Sequence, residues 1–211
     1  MFKGFFSNFS CLHFLILSLI NTINQMNDNN KPRANNWTLF LDRDGVLNRK
    51  LEDDYVKSLE EFDILEHSKE ALEILSEHFE TIVVVTNQQG IGKQLMSEKD
   101  LEVIHNHLLE KLPQIQSIYF CSDLAKTNSP RRKPAIGMAI DAKEDFCTIS
   151  FKRSVIVGDS ISDMQFGRNA GMKTCFINEK NSFERVKNKA LIDFETTSLI
   201  EAVPYLIHLT K

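Results

Sequence analysis

The stretch Thr38-Leu39-Phe40-Leu41-Asp42-Arg43-Asp44-Gly45-Val46-Leu47-Asn48 constrains this chain more than any other. An apolar run of this kind reads as a buried strand. It ends in two aspartates separated by one residue, and a glycine follows at once. In an extended strand, side chains two apart project to the same side, so Asp42 and Asp44 converge at the carboxyl end. Open α/β sheets bind their ligands at that edge. Gly45 lets the backbone turn away immediately. The same alternation points Arg43 to the opposite side. Two carboxylates this close repel, which raises one or both pKa values unless a cation lies between them. As structure alone, the pair would cost stability with no local partner, so we read it as functional. An EF-hand loop is excluded by spacing. It needs glycine at position 6, and Gly45 is fourth counting from Asp42.

The rest of the chain alternates helical and strand patterns. After a charged, irregular segment from Arg49 to Phe62, Ser68 is the expected N-cap of a helix with Ala71, Leu72, Ile74, Leu75 and Phe79 apolar. Thr81 to Val85 is a β-branched run, as in a strand buried on both faces, and ends in Thr86-Asn87-Gln88-Gln89-Gly90-Ile91-Gly92. A second helix is expected from about Ser97 to Leu112, with Ser97 and Asp100 as a capping box and Pro113 as its stop. Ile115 to Phe120 reads as a strand. A polar loop, Cys121 to Pro130, and the basic triplet Arg131-Arg132-Lys133 follow. Gly137 to Phe146 reads as a helix. Ser154 to Val157 is a strand ending in Gly158-Asp159-Ser160. Ser162 to Ala170 is a short helix closed by Gly171. Thr174 to Ile177 is a fifth strand, with a weak strand near Ala190 to Phe194 and a helix from about Ser198 to Leu209 beyond it. This order implies right-handed βαβ units: an α/β, Rossmann-like three-layer sandwich with a central parallel sheet. No connection is large enough to hold a cap domain.

With 211 residues, 42% of them hydrophobic, the chain suits a single domain over 37–211 with a sizeable core. Residues 1–36 differ from it. Lys3 and the apolar run Cys11–Ile20 resemble a signal peptide, but no small-residue cleavage site follows, and the run is short of the roughly 20 residues that cross a bilayer. A start at Met26, an interfacial tail and a true signal all fit. Each leaves a poorly ordered extension and no membrane span. The net charge of -4 argues against a nucleic-acid partner. Cys11, Cys121, Cys147 and Cys175 have no CxxC spacing and read as reduced thiols of a cytoplasmic protein. His105 and His107 lie two apart on a helix, do not share a face, and read as surface residues.

In one parallel sheet, Asp42 and Asp44, Thr86 and Asn87, Asp159, and (one loop on from a strand) Arg132 and Lys133 all fall at the carboxyl edge. Acids grouped with a hydroxyl, amides and a lysine suit Mg²⁺ together with a phosphoryl group. The reaction class implied is metal-assisted phosphoryl transfer. Asp163 fits either the start of its helix or the metal site.

These motifs resemble the haloacid dehalogenase superfamily. Within it, Phe40–Asn48, Val85–Gly92, Arg132–Met138 and Val157–Met172 resemble the heptose 1,7-bisphosphate phosphatase and histidinol-phosphate phosphatase branch. The resemblance implies Asp42 as nucleophile and Asp44 as general acid and base, with Mg²⁺ on Asp42, the Asp44 carbonyl and Asp159. It implies phosphoryl contacts from Thr86 and the Asn87 amide, charge neutralisation by Lys133, and substrate contacts from Arg132, Asp54 and Tyr55. The expected partner is a small phosphorylated metabolite, best matched by the heptose bisphosphate, and the expected state is a monomer. Histidinol phosphate, a polynucleotide 3′ end, and a phosphate-binding regulatory module on the same fold are the alternatives. Many members carry a zinc loop where this chain has Cys121, Asp123, Ser129 and Arg131. Structural zinc takes N or S ligands, so no zinc is expected. Ser160 also departs from a lysine common in the heptose enzymes.

Overall fold

A computed structural model describes residues 36–52, 54–178 and 187–211. The extension expected over 1–36 falls outside them apart from Asn36, as does Asp53. Six strands form one sheet: β1 (Thr38–Leu41), β2 (Thr81–Asn87), β3 (Ser117–Cys121), β4 (Ser154–Gly158), β5 (Lys173–Ile177) and β6 (Phe194–Thr196), in the order β3-β2-β1-β4-β5-β6. Every pairing is parallel. Strand order reverses between β1 and β4, which is where open α/β sheets leave a crevice. Leu41 is in register with Val84 on one side and Val157 on the other; β4 runs one residue and β2 three residues beyond the end of β1, all toward the same edge.

Alternation along the central strands builds two cores. Leu39, Leu41, Ile82, Val84, Val155 and Val157 face α1 (Ser68–Leu75), α3 (Glu98–Lys111) and α6 (Leu199–Leu209). Phe40, Val83, Val85 and Ile156 face α4 (Gly137–Asp145) and α5 (Ile161–Ala170). The three layers are those expected. A four-residue helix, α2 (Gln89–Gly92), follows β2 and was not legible in the sequence. Ser97 caps α3 in a capping box with Asp100, and Gly171 ends α5 at φ 79°.

Three expectations need correction. The N-cap of α1 is His67, at φ 63°, not Ser68. Ser68 is buried and its hydroxyl points to the Leu47 carbonyl, 3.5 Å away, so packing against the 42–48 turn takes the group that would have capped the helix. β3 runs two residues later than expected at its start, because Ile115 is taken by the core above the sheet. Ala190 lies in a 3₁₀ turn, and β6 begins only at Phe194. None of the described helices is long and apolar enough to cross a membrane.

Gly167 shows how tightly α5 sits on the sheet. A methyl group there would run into Ile156 and, at 2.7 Å, Thr174 Cγ2. Alanine favours a helix interior by about 1 kcal/mol, but overpacking costs about 1–3 kcal/mol. Gly167→Ala should therefore lower the thermal midpoint by several degrees, read from a calorimetric or circular-dichroism melt. An unchanged or raised midpoint would show that α5 can move off the sheet freely.

Candidate active site

β1 stops at Leu41, and the chain then turns back on itself. Leu47 and Asn48 both donate main-chain N–H groups to the Arg43 carbonyl, at 2.9 and 3.2 Å, and Gly45 N–H donates to the Asn48 carbonyl at 2.8 Å. Gly45 sits at φ 84°, and a Cβ there would collide with the Asp159 carboxylate. The glycine thus serves both the turn and the approach of β1's end to β4's end. Asp42 N–H still donates to the Val157 carbonyl at 2.9 Å, so Asp42 is pinned to β4.

Asp42 is buried. Its Oδ1 accepts from the Arg43 main-chain N–H at 2.8 Å and pairs with Lys133 Nζ at 2.9 Å. Lys133 is buried too, and Nζ meets three acceptors: Asp42, Asp163 Oδ1 at 2.6 Å and the Val85 carbonyl at 2.7 Å. An ammonium has three protons, so this donor is fully used. Burial opposes its charge, yet Asp163 and Asp42 outweigh that and raise its pKa. Burial pushes the Asp42 carboxyl up to about 7, helped by the nearby charges of Asp163, Asp159 and Asp44, against the pull of Lys133. The site therefore holds more negative charge than its own cations neutralise.

Asp44 behaves oppositely. Burial would raise its pKa, but the Arg43 guanidinium and hydrogen bonds from Asn48, Arg43 and Gln88 hold it below the ordinary range. Arg43 Nη2 lies 3.0 Å from both Asp44 oxygens; Asn48 Nδ2 donates to Oδ1 at 2.9 Å and Gln88 Nε2 to Oδ2 at 2.8 Å. The expectation that Arg43 points away from the acids is wrong. Strand alternation ends with the strand, and in the turn that follows Arg43 folds back onto Asp44. The guanidinium is completely buried, with Phe62 5.9 Å from its carbon and His105 Nε2 3.2 Å from Nη1. His105 is thus a buried residue and not the surface group expected; His107, half-buried, packs edge-on to Phe62. Arginine cannot accept, so Nε2 is the acceptor and the imidazole is neutral. Burial first, and the Arg43 charge second, lower the His105 pKa to about 3.

The remaining groups line a cleft of about 270 Å³, bordered by Asp42, Asp44, Lys50, Asp54, Tyr55, Thr86, Asn87, Arg132, Lys133 and Asp159. Every site residue expected from sequence is therefore in one place. Thr86 Oγ1 accepts from Gln88 Nε2 at 2.9 Å. The Asn87 side chain clamps the Lys133 main chain, accepting its N–H at 3.0 Å and donating to its carbonyl at 3.2 Å. Tyr55 is held by Gln89 Nε2 at 2.7 Å, and Asp54 pairs with Lys57 at 2.7 Å. Arg132 Nη1 donates to the Asp123 carbonyl at 3.2 Å. Lys50, Asn48 and Gln88 escaped sequence reasoning. The only signal was position: Asn48 ends the first motif and Gln88 extends the second.

Asp42, Asp159 and Asp163 offer carboxylate oxygens within 4.8 Å of one another. Asp163 is already committed, since its Oδ2 accepts from Ser160 N–H at 3.0 Å and Ser160 Oγ at 2.6 Å while Oδ1 pairs with Lys133. It caps α5 and braces Lys133 at once. Asp159 is engaged by Lys50 Nζ at 2.7 and 2.9 Å, and burial raises its pKa despite that lysine. An all-oxygen donor set with surplus negative charge fits a hard divalent cation such as Mg²⁺.

At the four positions compared with a zinc loop, Cys121 Sγ lies 3.6 Å from Asp123 Oδ2 and 3.8 Å from Ser129 Oγ. Arg131 turns to Asp141, 2.7 Å away. Gln89 Oε1 accepts from Ala125 N–H at 3.4 Å, tying the loop to α2.

The model of a family described as polynucleotide kinase 3 phosphatase matches residues 19–198. A D-glycero-alpha-D-manno-heptose-1,7-bisphosphate 7-phosphatase of Mycobacterium bovis is 39% identical over 137 residues, 63% of this chain and 72% of that protein. A D-glycero-D-manno-heptose-1,7-bisphosphate 7-phosphatase of Chlorobaculum tepidum is 31% identical over 78% of this chain and 91% of its own length. A solved D,D-heptose 1,7-bisphosphate phosphatase of B. bronchiseptica, complexed with magnesium and phosphate, superposes with a TM-score of 0.70 at 26% identity, covering 82% of this chain and 98% of that one.

His105 makes stability depend on pH. Folded, it binds a proton less readily than an unfolded histidine, so between about 3 and 6.5 the unfolded state holds more protons and stability rises with pH. Its contribution is present above about 6.5 and is lost on acidification, with a slope approaching about 1.4 kcal/mol per pH unit. His105→Gln, which retains an acceptor for Arg43, should show a shallower slope in urea unfolding at pH 7, 6 and 5. Equal slopes for variant and parent would mean that His105 takes up a proton without cost.

Proposed function

The chain belongs to the polynucleotide kinase 3 phosphatase family of haloacid dehalogenase-like hydrolases, and from that premise we propose that it is a Mg²⁺-dependent phosphatase of a small sugar bisphosphate, D-glycero-D-manno-heptose 1,7-bisphosphate in the first instance. The observation that carries this reading is geometric: Asp42, Asp44, Thr86, Lys133 and Asp159 converge on one cleft at the carboxyl edge of the sheet, with Lys133 Nζ 2.9 Å from Asp42. Acids grouped with a hydroxyl and a buried lysine suit a divalent ion together with a phosphoryl group.

Asp42 is the nucleophile. Its contacts among the described residues fall on Oδ1, leaving Oδ2 for attack on phosphorus. Lys133 neutralises it, and the cation-free pKa near 7 is what a divalent ion would bring down. As Oδ2 bonds to phosphorus, the bond to the leaving oxygen breaks and that oxygen takes a proton from Asp44. Asp44 favours the carboxylate in the arrangement described, and an incoming phosphate dianion beside it favours its protonated form. Water then attacks the aspartyl-phosphate, gives its proton to Asp44, and releases phosphate. Asp42, Asp159 and the Asp44 carbonyl would hold Mg²⁺, which supplies neutralisation of charge on the transferring group. Thr86 and the Asn87 amide bind phosphoryl oxygens, and Arg132, Asp54 and Tyr55 contact the sugar.

A polynucleotide end would want a basic track for its backbone, and a net charge of -4 argues for a small metabolite instead. We read the 121–131 loop as a zinc-free version of the family's clip. Cys121 Sγ contacts both the Asp123 carboxylate and the Ser129 hydroxyl, and the Arg131 charge stands where a metal ligand would be needed. A monomer acting in the cytoplasm completes the reading.

A screen of sugar bisphosphates, sugar monophosphates and histidinol phosphate with Mg²⁺ tests the substrate. The heptose bisphosphate should give the highest kcat/KM; a clear preference for another class would replace it. Asp42→Asn should lose activity on the order of 10⁴-fold or more while remaining folded by circular dichroism, and substantial remaining turnover would sink the nucleophile assignment. EDTA should abolish hydrolysis and Mg²⁺ restore it. Elemental analysis of protein purified without chelator should find no stoichiometric zinc, and a tightly held zinc would refute the reading of the loop.

A further inference from the structure

Lys50 is the one cleft cation with no part in the scheme above. It stands in the irregular segment after the 42–48 turn, is about half exposed, and spends its ammonium on both oxygens of Asp159, at 2.9 and 2.7 Å. Asp159 is mostly buried and belongs to the oxygen set that fits a divalent ion. The other site cations are committed. Arg43 is buried on Asp44, Lys133 is buried on Asp42 and Asp163, and Arg132 donates to a loop carbonyl.

Charge bookkeeping makes the Lys50 contact conditional. Asp42, Asp44, Asp159 and Asp163 face Arg43, Lys133 and Lys50. A divalent ion on Asp42 and Asp159 turns the deficit into a surplus, and the ammonium held least deeply is the one to leave. Lys50 is on a long flexible stem with its head at solvent, whereas Lys133 and Arg43 have no water to go to. Released from Asp159, its head remains at the rim of the cleft that also holds Tyr55 and Arg132.

Resting on the phosphatase reading, we propose that Lys50 is a specificity-determining residue: it occupies Asp159 in the ion-free protein, yields that carboxylate to the divalent ion, and then pairs with the second anionic group of a bisphosphate substrate. Binding of metal and selection of a doubly charged substrate are thereby coupled through one side chain. Monophosphates gain nothing from the released ammonium.

The test uses the full chain with Lys50→Met and Lys50→Arg. Calorimetric titration of Mg²⁺ without substrate should show about two- to tenfold tighter binding to Lys50→Met, since a competing ion pair worth a few-fold is gone. The ratio of kcat/KM for a sugar bisphosphate to that for p-nitrophenyl phosphate should fall roughly ten- to hundredfold in Lys50→Met, the worth of one charge-assisted hydrogen bond. Lys50→Arg should restore most of it. Unchanged Mg²⁺ affinity overturns the placeholder role, and an equal loss on both substrates overturns the selective one. If the parent hydrolyses neither compound, the phosphatase reading itself fails. The Mg²⁺ titration, together with calorimetry of the bisphosphate on Mg²⁺-loaded protein with and without Lys50, still decides what Lys50 does.

Discussion

The site hangs on one buried ammonium. Lys133 joins Asp42 at the end of β1, Asp163 at the start of α5 and the Val85 carbonyl in β2, with every N–H proton used. Those partners come from three separate elements, so the lysine sets their distances as well as their charge. Removing one member of a buried, hydrogen-bonded ion group costs about 3–5 kcal/mol, because it strands the others without water. The Asn87 side chain holds the lysine's main chain from β2, which fixes where the long 121–133 connection returns to the sheet.

Around that anchor, two acids one residue apart live in different worlds. Asp42 faces the crowded end of β4, where burial and Asp163 and Asp159 resist its ionisation. Asp44 sits under a guanidinium and two amides that favour it. The difference arises within a single turn. Asp42 is still paired to β4 by its N–H, whereas Asp44 has left the sheet and meets the side chains of α3 and the β2 end through Arg43 and Gln88. His105, far along the chain, closes this arrangement by accepting from Arg43, so the helix over the sheet helps set the charge state of the acid.

Among the described residues, the mouth of the cleft is built from loops. Tyr55, tied to α2 through Gln89, and Arg132, tied to the Asp123 carbonyl, both border it. In the 121–131 loop, Cys121 Sγ lies against the Asp123 carboxylate and the Ser129 hydroxyl, and Arg131 pairs with Asp141. Such a loop leans on contacts of modest individual strength, which suits a rim that must admit and release a charged substrate.

Much of this was legible in the chain. The apolar run before Asp42, the β-branched run before Thr86 and the glycine-aspartate after Val157 each declare a buried parallel strand, and parallel strands in one sheet must present their carboxyl ends together. That alone gathers Asp42, Asp44, Thr86, Asn87 and Asp159, and the capping box at Ser97 and the stop at Gly171 are local signals that tertiary structure left untouched. What local pattern could not decide was the fate of side chains once the strand or helix rule lapsed. Arg43 lies past the last strand residue, where period-two alternation no longer holds. His105 lies on a helix whose neighbour through space is a guanidinium from another part of the chain, and Ser68 gives its hydroxyl to a turn that precedes it by some twenty residues. The reach of Lys50 to Asp159 spans more than a hundred positions. Short-range periodicity determined the elements and the edge at which they meet; only the packing of those elements, which sets which charges are buried together, determined how the charges pair.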